Sequence, residues 1–166
     1  MFAIQDEISR AIVDVLKVRL KGPEARTPLV VPATKNLEAY TLYLKGRFFY
    51  NRFTESDLKR SLDLYHQALA EDPEYARAYA GIADSWIGMA DDWLSPDEAY
   101  PRAKEAGKKA LGLDSTLAEA LTALGKVLGW YEWHFEDALR ELERAVELNP
   151  NYAEAHFVLG SVLPCL

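Results

Sequence analysis

Few residues of this chain are of the types that carry out covalent or acid–base chemistry. His66, His134 and His156 lie far apart and match neither metal-ligand nor triad spacing. Asp91-Asp92 and Asp97-Glu98 are paired carboxylates. Such pairs can act as acid and base, but in loops and helix first turns they serve capping and dipole roles first. Cys165 is the sole cysteine, so the chain builds neither an intramolecular disulfide nor a thiolate metal cage. No glycine-rich phosphate loop occurs. The expectation is a protein that is not an enzyme and uses no metal or cofactor. The pattern that does stand out is Tyr40, Tyr43, Arg47, Tyr50 and Asn51, three tyrosines and an arginine at helical spacing. Tyr and Arg join a large contact area to a polar tip and anchor protein interfaces, so the chemistry on offer is recognition.

The elements that would position this stripe follow from pattern and composition. Of the 166 residues, 49% are hydrophobic and 27% charged, enough to bury a core. The net charge of −7, with Lys and Arg dispersed among acids, argues against nucleic acid and anionic membrane as partners. No apolar run nears the roughly 20 residues needed to span a bilayer. The start, from Met1 to Glu7, lacks the basic and apolar regions of a signal peptide. The chain is therefore expected to be soluble and cytoplasmic.

Three segments align without gaps: residues 66–83, 108–125 and 143–160. Each carries an Ala, an Asp or Asn, a Pro or Ser, and then Ala-x-Ala opening a new helix. Pro73 and Pro150 donate no amide hydrogen, so each marks a helix start. Asp72, Asp114 and Asn149 stand just before, where a side-chain oxygen can cap free amides. This places helix ends near Leu69, Leu111 and Val146, and new helices near Pro73, Ser115 and Pro150. The small residues Ala76, Ala78, Ala118, Ala120, Ala153 and Ala155 then let successive helices cross closely. Thr54 to Asp57 and Ser95 to Glu98 read as capping boxes, and Pro101 as the site of an offset in its helix.

On these residues the chain resembles the tetratricopeptide repeat (TPR) family. Leu42, Gly46, Phe49, Tyr65, Ala68 and Pro73 follow the signature in a first unit. Tyr79, Ala83, Trp86, Ala103 and Ala110 do so in a second, and Leu121, Gly125, Leu142, Ala145 and Pro150 in a third. His156, Leu159 and Gly160 open a fourth. Lys45, Gly107 and Ser115 depart from the signature. Gly46, Ala83, Gly125 and Gly160 recur at intervals of 37, 42 and 35 residues, longer than the usual period of about 34, which places insertions between the helices of each unit. Met89 to Leu94, including Trp93, falls in the longest of these. Trp130 to Phe135 falls at the turn within the third unit, where packing against adjacent helices is the plainer role.

The resemblance implies an all-α, right-handed superhelix of about three and a half helix pairs. Its units cover residues 39–75, 76–117, 118–152 and a truncated 153–166. Residues 1–22 read as an amphipathic helix covering the first repeat, and residues 23–35, with Pro28 and Pro32, as an extended linker. The resemblance also implies that the first helix of each unit lines a concave face. The stripe there comprises Tyr40, Tyr43, Arg47, Tyr50 and Asn51, then Arg77, Ala80, Asp84 and Ile87. It continues through Glu119, Thr122, Lys126 and Trp130 to Glu154, Phe157 and Ser161. It lacks the paired Lys and Asn with which TPR domains grip a C-terminal carboxylate.

The expected function is a scaffold that binds a protein or peptide on the concave face, losing its partner when Tyr43, Arg47 and Tyr50 are replaced while staying helical. The alternative is a regulatory module. Phe2 to Ile8 and Asn36 to Tyr40 resemble the C-terminal TPR region of bacterial signalling proteins, in which repeats follow a winged-helix, kinase or adenylate-cyclase domain. Phe157, Val158, Val162, Leu163 and Leu166, on a last helix without a mate, are expected to be exposed and to drive self-association.

Overall fold

A computed structural model of the protein describes residues 34–165. The expected N-terminal helix, most of the expected linker and Leu166 lie outside these residues. The described chain runs through seven α-helices: α1 (Leu37–Tyr50), α2 (Glu55–Glu71), α3 (Ala76–Asp92), α4 (Pro96–Leu113), α5 (Ala118–Lys126), α6 (Phe135–Leu148) and α7 (Ala153–Val162). No strand occurs among the described residues. Consecutive helices pack as antiparallel pairs, α1 with α2, α3 with α4 and α5 with α6, and α7 opens a fourth pair. The architecture is the α-solenoid that the repeats imply.

Contacts between units show which side is inner. The first helices α1, α3, α5 and α7 touch one another in series, whereas α2, α4 and α6 make no comparable contact with each other. Helices that crowd on one side and splay on the other give a curved stack, with the first helices on the inside.

The junctions differ from the sequence expectation by two to three residues. The helices run on to Glu71, Leu113 and Leu148, and the next begin at Ala76, Ala118 and Ala153. Asp72, Asp114 and Asn149 close the preceding helix and do not start the next one. Their side-chain oxygens accept from the amides of Glu74 (3.1 Å), Thr116 (2.9 Å) and Asn151 (3.3 Å). This is the local turn that short polar side chains favour, and it competes with capping. Pro73 and Pro150 therefore sit in the turns. Thr54 caps α2 as expected, accepting from the Asp57 amide at 3.2 Å. Ser95 makes no side-chain cap, although Pro96 is the first helical residue; the Ser95 carbonyl takes the Glu98 amide instead, at 3.0 Å. Pro101 lies within a continuous α4.

Small residues do let the helices approach. Ala76, Ala78, Ala118, Ala120 and Ala155 are buried, but Ala153 is exposed. The Tyr65 ring of α2 wedges between α1 and α3. A Cβ on Gly46 would stand 2.5 Å from its Cε1, and one on Gly81 2.6 Å from its Cζ. Leu142 fills the same role against Gly125. By contrast, a Cβ on Gly112 in α4 meets nothing within 4 Å. Gly112→Ala should therefore stabilise the protein by about 0.5–1 kcal/mol, through helix propensity alone, as a raised urea midpoint would show.

Two of the aromatic segments differ from expectation or refine it. Met89 to Asp92 is the end of α3 and not a loop, with Met89 buried. Trp93 closes that helix and packs on Phe53, ring centroids 6.0 Å apart. After α5 the chain makes one π-helical turn, Val127–Tyr131, and Trp133 then adopts φ 59°. Phe53, between α1 and α2, has φ 53°. Both reversals thus use a left-handed residue that is not glycine, a conformation held by surrounding packing.

The expected apolar end is corrected too. Val158 and Val162 are buried against Ala138 and Leu142 of α6, because α7 rests on the preceding pair. Among the described residues of that set, Phe157 (67%) and Leu163 (50%) are exposed. Among the described residues no helix is long and apolar enough to cross a membrane.

Candidate functional site

The inner face is built from equivalent positions of four first helices. One residue beyond the small positions Gly46, Ala83 and Gly125 come Arg47, Asp84 and Lys126. Six residues before the small positions, counting Gly160 as the fourth, come Tyr40, Arg77, Glu119 and Glu154. Because the helices lie side by side, these rows run across the stack, and their charges meet.

Arg47 Nη1 of α1 donates to Asp84 Oδ2 of α3 at 3.2 Å. Asp84 Oδ1 lies 3.8 Å from Lys126 Nζ of α5, which lies 2.6 Å from Glu154 Oε1 of α7. Signs thus alternate helix by helix, each side chain reaching the next unit. Arg77 of α3 meets Glu119 of α5 at 4.0 Å in the outer row. Asp84 and Lys126 are each 3% exposed. Burial pushes the Asp84 carboxyl above its ordinary value, against the pull of Lys126 and Arg47. Burial disfavours the charge of Arg47, but Asp84 together with Tyr43, Tyr65 and Tyr152 outweighs it and holds the guanidinium more firmly protonated than usual.

Tyrosines surround this relay. Tyr43 packs on Tyr65 and Tyr75, with centroids 5.8 and 5.2 Å away. Arg47 lies over the Tyr50 ring at 5.0 Å. Tyr152, at the start of α7, senses Asp84, Arg47 and Glu154. Burial raises the hydroxyls of Tyr43, Tyr65, Tyr75 and Tyr152 above the ordinary tyrosine value, so they stay neutral donors. The buried hydroxyls of Tyr65 and Tyr75 have no hydrogen-bond partner among the described residues.

The sequence-derived stripe maps onto this face, but much of it is not open. Tyr40, Asn51 and Arg77 are exposed; Tyr43, Arg47, Tyr50, Glu119 and Trp130 are half-buried. Ala80, Asp84, Ile87, Thr122 and Lys126 are buried. An exposed stripe was expected there, but adjacent first helices pack directly on each other and cover it. Trp130 donates from Nε1 to Ser161 Oγ at 3.1 Å, joining the third and fourth units. Tyr65 was read only as a signature residue, and Tyr75 and Tyr152 were missed. Tyr75 and Tyr152 each precede an Ala that opens a first helix, and that shared position was the available signal.

Elsewhere the candidate groups do not converge. His66, His134 and His156 are exposed and lie on separate units. Asp97 accepts from the Tyr131 hydroxyl at 2.9 Å, and Tyr131 stacks on Tyr100 at 5.0 Å, so this turn serves packing. Among the described residues no group of three His, Cys, Asp or Glu could hold a metal ion. On the outer side, a concavity of about 280 Å³ opens between α2 and α4. Arg102 and Lys109 rest there on the Trp86 and Tyr79 rings, at 4.7 and 4.9 Å.

No protein-family model and no curated protein matches the chain. Solved structures do. The first TPR of Spaghetti (RPAP3) bound to the HSP90 peptide SRMEEVD is 19% identical, with a TM-score of 0.64, covering 79% of this chain and 97% of that one. The Arabidopsis OM64 TPR domain is 15% identical, with a TM-score of 0.62, covering 78% and 97%. The Sgt2 TPR domain from Aspergillus fumigatus is 18% identical, with a TM-score of 0.62, covering 81% and 83%. At these identities the likeness is one of fold, and the fold is that of TPR domains.

Proposed function

We propose that the chain is an interaction scaffold that holds a peptide, or an extended segment of a partner protein, on the inner face of its first helices. The observation that carries this reading is the row of tyrosines and charged side chains spanning all four first helices, with Tyr40 and Phe157 exposed at its two ends. Large aromatic groups with polar neighbours on a curved surface suit a bound segment better than bulk solvent. The Spaghetti neighbour, of the same fold, is described as bound to a peptide.

Replacing Tyr43, Arg47 and Tyr50 is a poor test, since Tyr43 packs on buried rings and Arg47 holds Asp84. Tyr40→Ser, Arg77→Ser and Phe157→Ser together alter exposed residues only. In selection from a displayed peptide library, the wild type should enrich discrete sequences. The triple variant should lose them by at least about tenfold, the size expected for anchor residues, with its helical circular dichroism unchanged. Unaltered binding by the triple variant would sink the proposal.

A second reading follows from the sequence of residues 2–8 and 36–40. The same face would contact a fused or neighbouring regulator, kinase or cyclase domain. Addition of this chain should then change the activity of such a domain without any peptide present. Self-association through α7 is a weaker reading, since among the described residues it would rest on Phe157 and Leu163.

A further inference from the structure

Asp84 sits between two cations of its own chain. One oxygen accepts from Arg47 at 3.2 Å, and the other lies 3.8 Å from Lys126, so a single side chain joins cations from the helices on either side. Glu154 takes the remaining side of Lys126 at 2.6 Å. At the rim Arg77 is engaged by Glu119. Arg47, Arg77 and Lys126 each therefore meet a carboxylate of their own chain.

We propose that Asp84 and Glu154 are specificity residues: they stand in for a ligand's carboxylates, close the face to acidic peptide tails, and leave it to segments anchored through uncharged groups. The inference rests on the peptide-binding reading above. An incoming carboxylate would have to displace Glu154 from Lys126, and at Arg47 it would have to share the guanidinium with Asp84 or displace it. Displacing Asp84 strands its charge in a poorly solvated place, and displacing Glu154 only exchanges one carboxylate for another, so neither exchange yields net attraction. What remains available is neutral. Tyr40, Tyr43 and Tyr152 offer ring faces and hydroxyl donors suited to backbone carbonyls and apolar side chains. The favoured ligand is an extended segment with accessible carbonyls and no acidic terminus.

The test uses two synthetic peptides: SRMEEVD, and its neutralised form SRMQQVN with an amidated terminus. Calorimetry compares the wild type with Glu154→Gln, Asp84→Asn and the double variant. The Glu154 side chain is 42% exposed, so Glu154→Gln leaves the fold intact even if Asp84→Asn does not. The wild type should show no preference for the acidic peptide. Glu154→Gln should gain about tenfold in affinity for SRMEEVD, the worth of one freed charge contact. The double variant should gain more, and the gain should shrink in high salt. Adding Lys126→Met to Glu154→Gln should erase it. A wild type that already prefers SRMEEVD tenfold, or a folded Glu154→Gln with unchanged affinity for it, would overturn the inference. Neither result depends on whether library-selected peptides bind the exposed ends, so the two readings fail separately.

Discussion

Lys126→Met should lower the stability of the protein by about 3 to 5 kcal/mol at neutral pH, the cost of stranding a buried charge. Asp84, 3% exposed, would keep Arg47 as its only cation among the described residues, and Glu154 would lose Lys126. Urea denaturation of Lys126→Met, Asp84→Asn and the double variant measures the coupling. Most of the loss should return in the double variant, because asparagine fills the same space without a charge. Loss of the same size in both Lys126→Met backgrounds would show that packing, and not charge, is at stake.

The deficit should also depend on pH. Burial already lifts the folded Asp84 carboxyl above its ordinary value of 3.8, and the charge of Lys126 is the largest single pull against that rise. Without Lys126 the folded value climbs further. Between the ordinary value and the raised one, the folded chain binds more protons than the unfolded chain, so stability rises as pH falls. The Lys126→Met deficit should therefore narrow on acidification through the raised value and level off near the ordinary one. The Asp84→Asn/Lys126→Met variant should show no such narrowing.

Gly46→Val should be nearly as damaging, at about 3 kcal/mol, the upper part of the overpacking range. The Cβ alone would stand 2.5 Å from Tyr65 Cε1 and 2.8 Å from Cδ1. The ring cannot retreat, since its far side lies against Gly81 of the next unit. A lowered urea midpoint, partly restored by adding Tyr65→Leu, is the expected result. No restoration would mean that the clash lies elsewhere. The contrast with Gly112→Ala, of opposite sign, separates close helix approach from intrinsic helix propensity.

The helix pairs were legible because the Asp/Asn-Pro/Ser junctions and the Ala-x-Ala openings recur, and no strand pattern competes with them. The exact turn was less so. Asp72 and Asn149 can cap a following helix or close a local turn, and sequence alone does not choose between two hydrogen bonds of similar strength. For the inner face, 3.6-residue periodicity put Arg47, Asp84 and Lys126 on one stripe of their helices, expected to be exposed. It carried no information on how closely adjacent helices approach, and that spacing decides between an open stripe and a buried relay. The alternation was nonetheless written in the chain: Arg47, Asp84 and Lys126 follow one another at the intervals of 37 and 42 residues already found for the small positions. Tyr75 and Tyr152 escaped notice because the expected helix starts fell at Pro73 and Pro150, leaving both tyrosines inside the helix instead of at its entrance.

The alternating charges also fix the order in which the repeats can be joined. Excising the second unit by recombination would set Arg47 directly against Lys126, cation to cation, with no acid between them. Duplicating the first would place two copies of Arg47 side by side. The modules are alike in backbone yet not interchangeable as cassettes, because each helix carries the sign its neighbour requires and a miscounted array would repel itself at the seam.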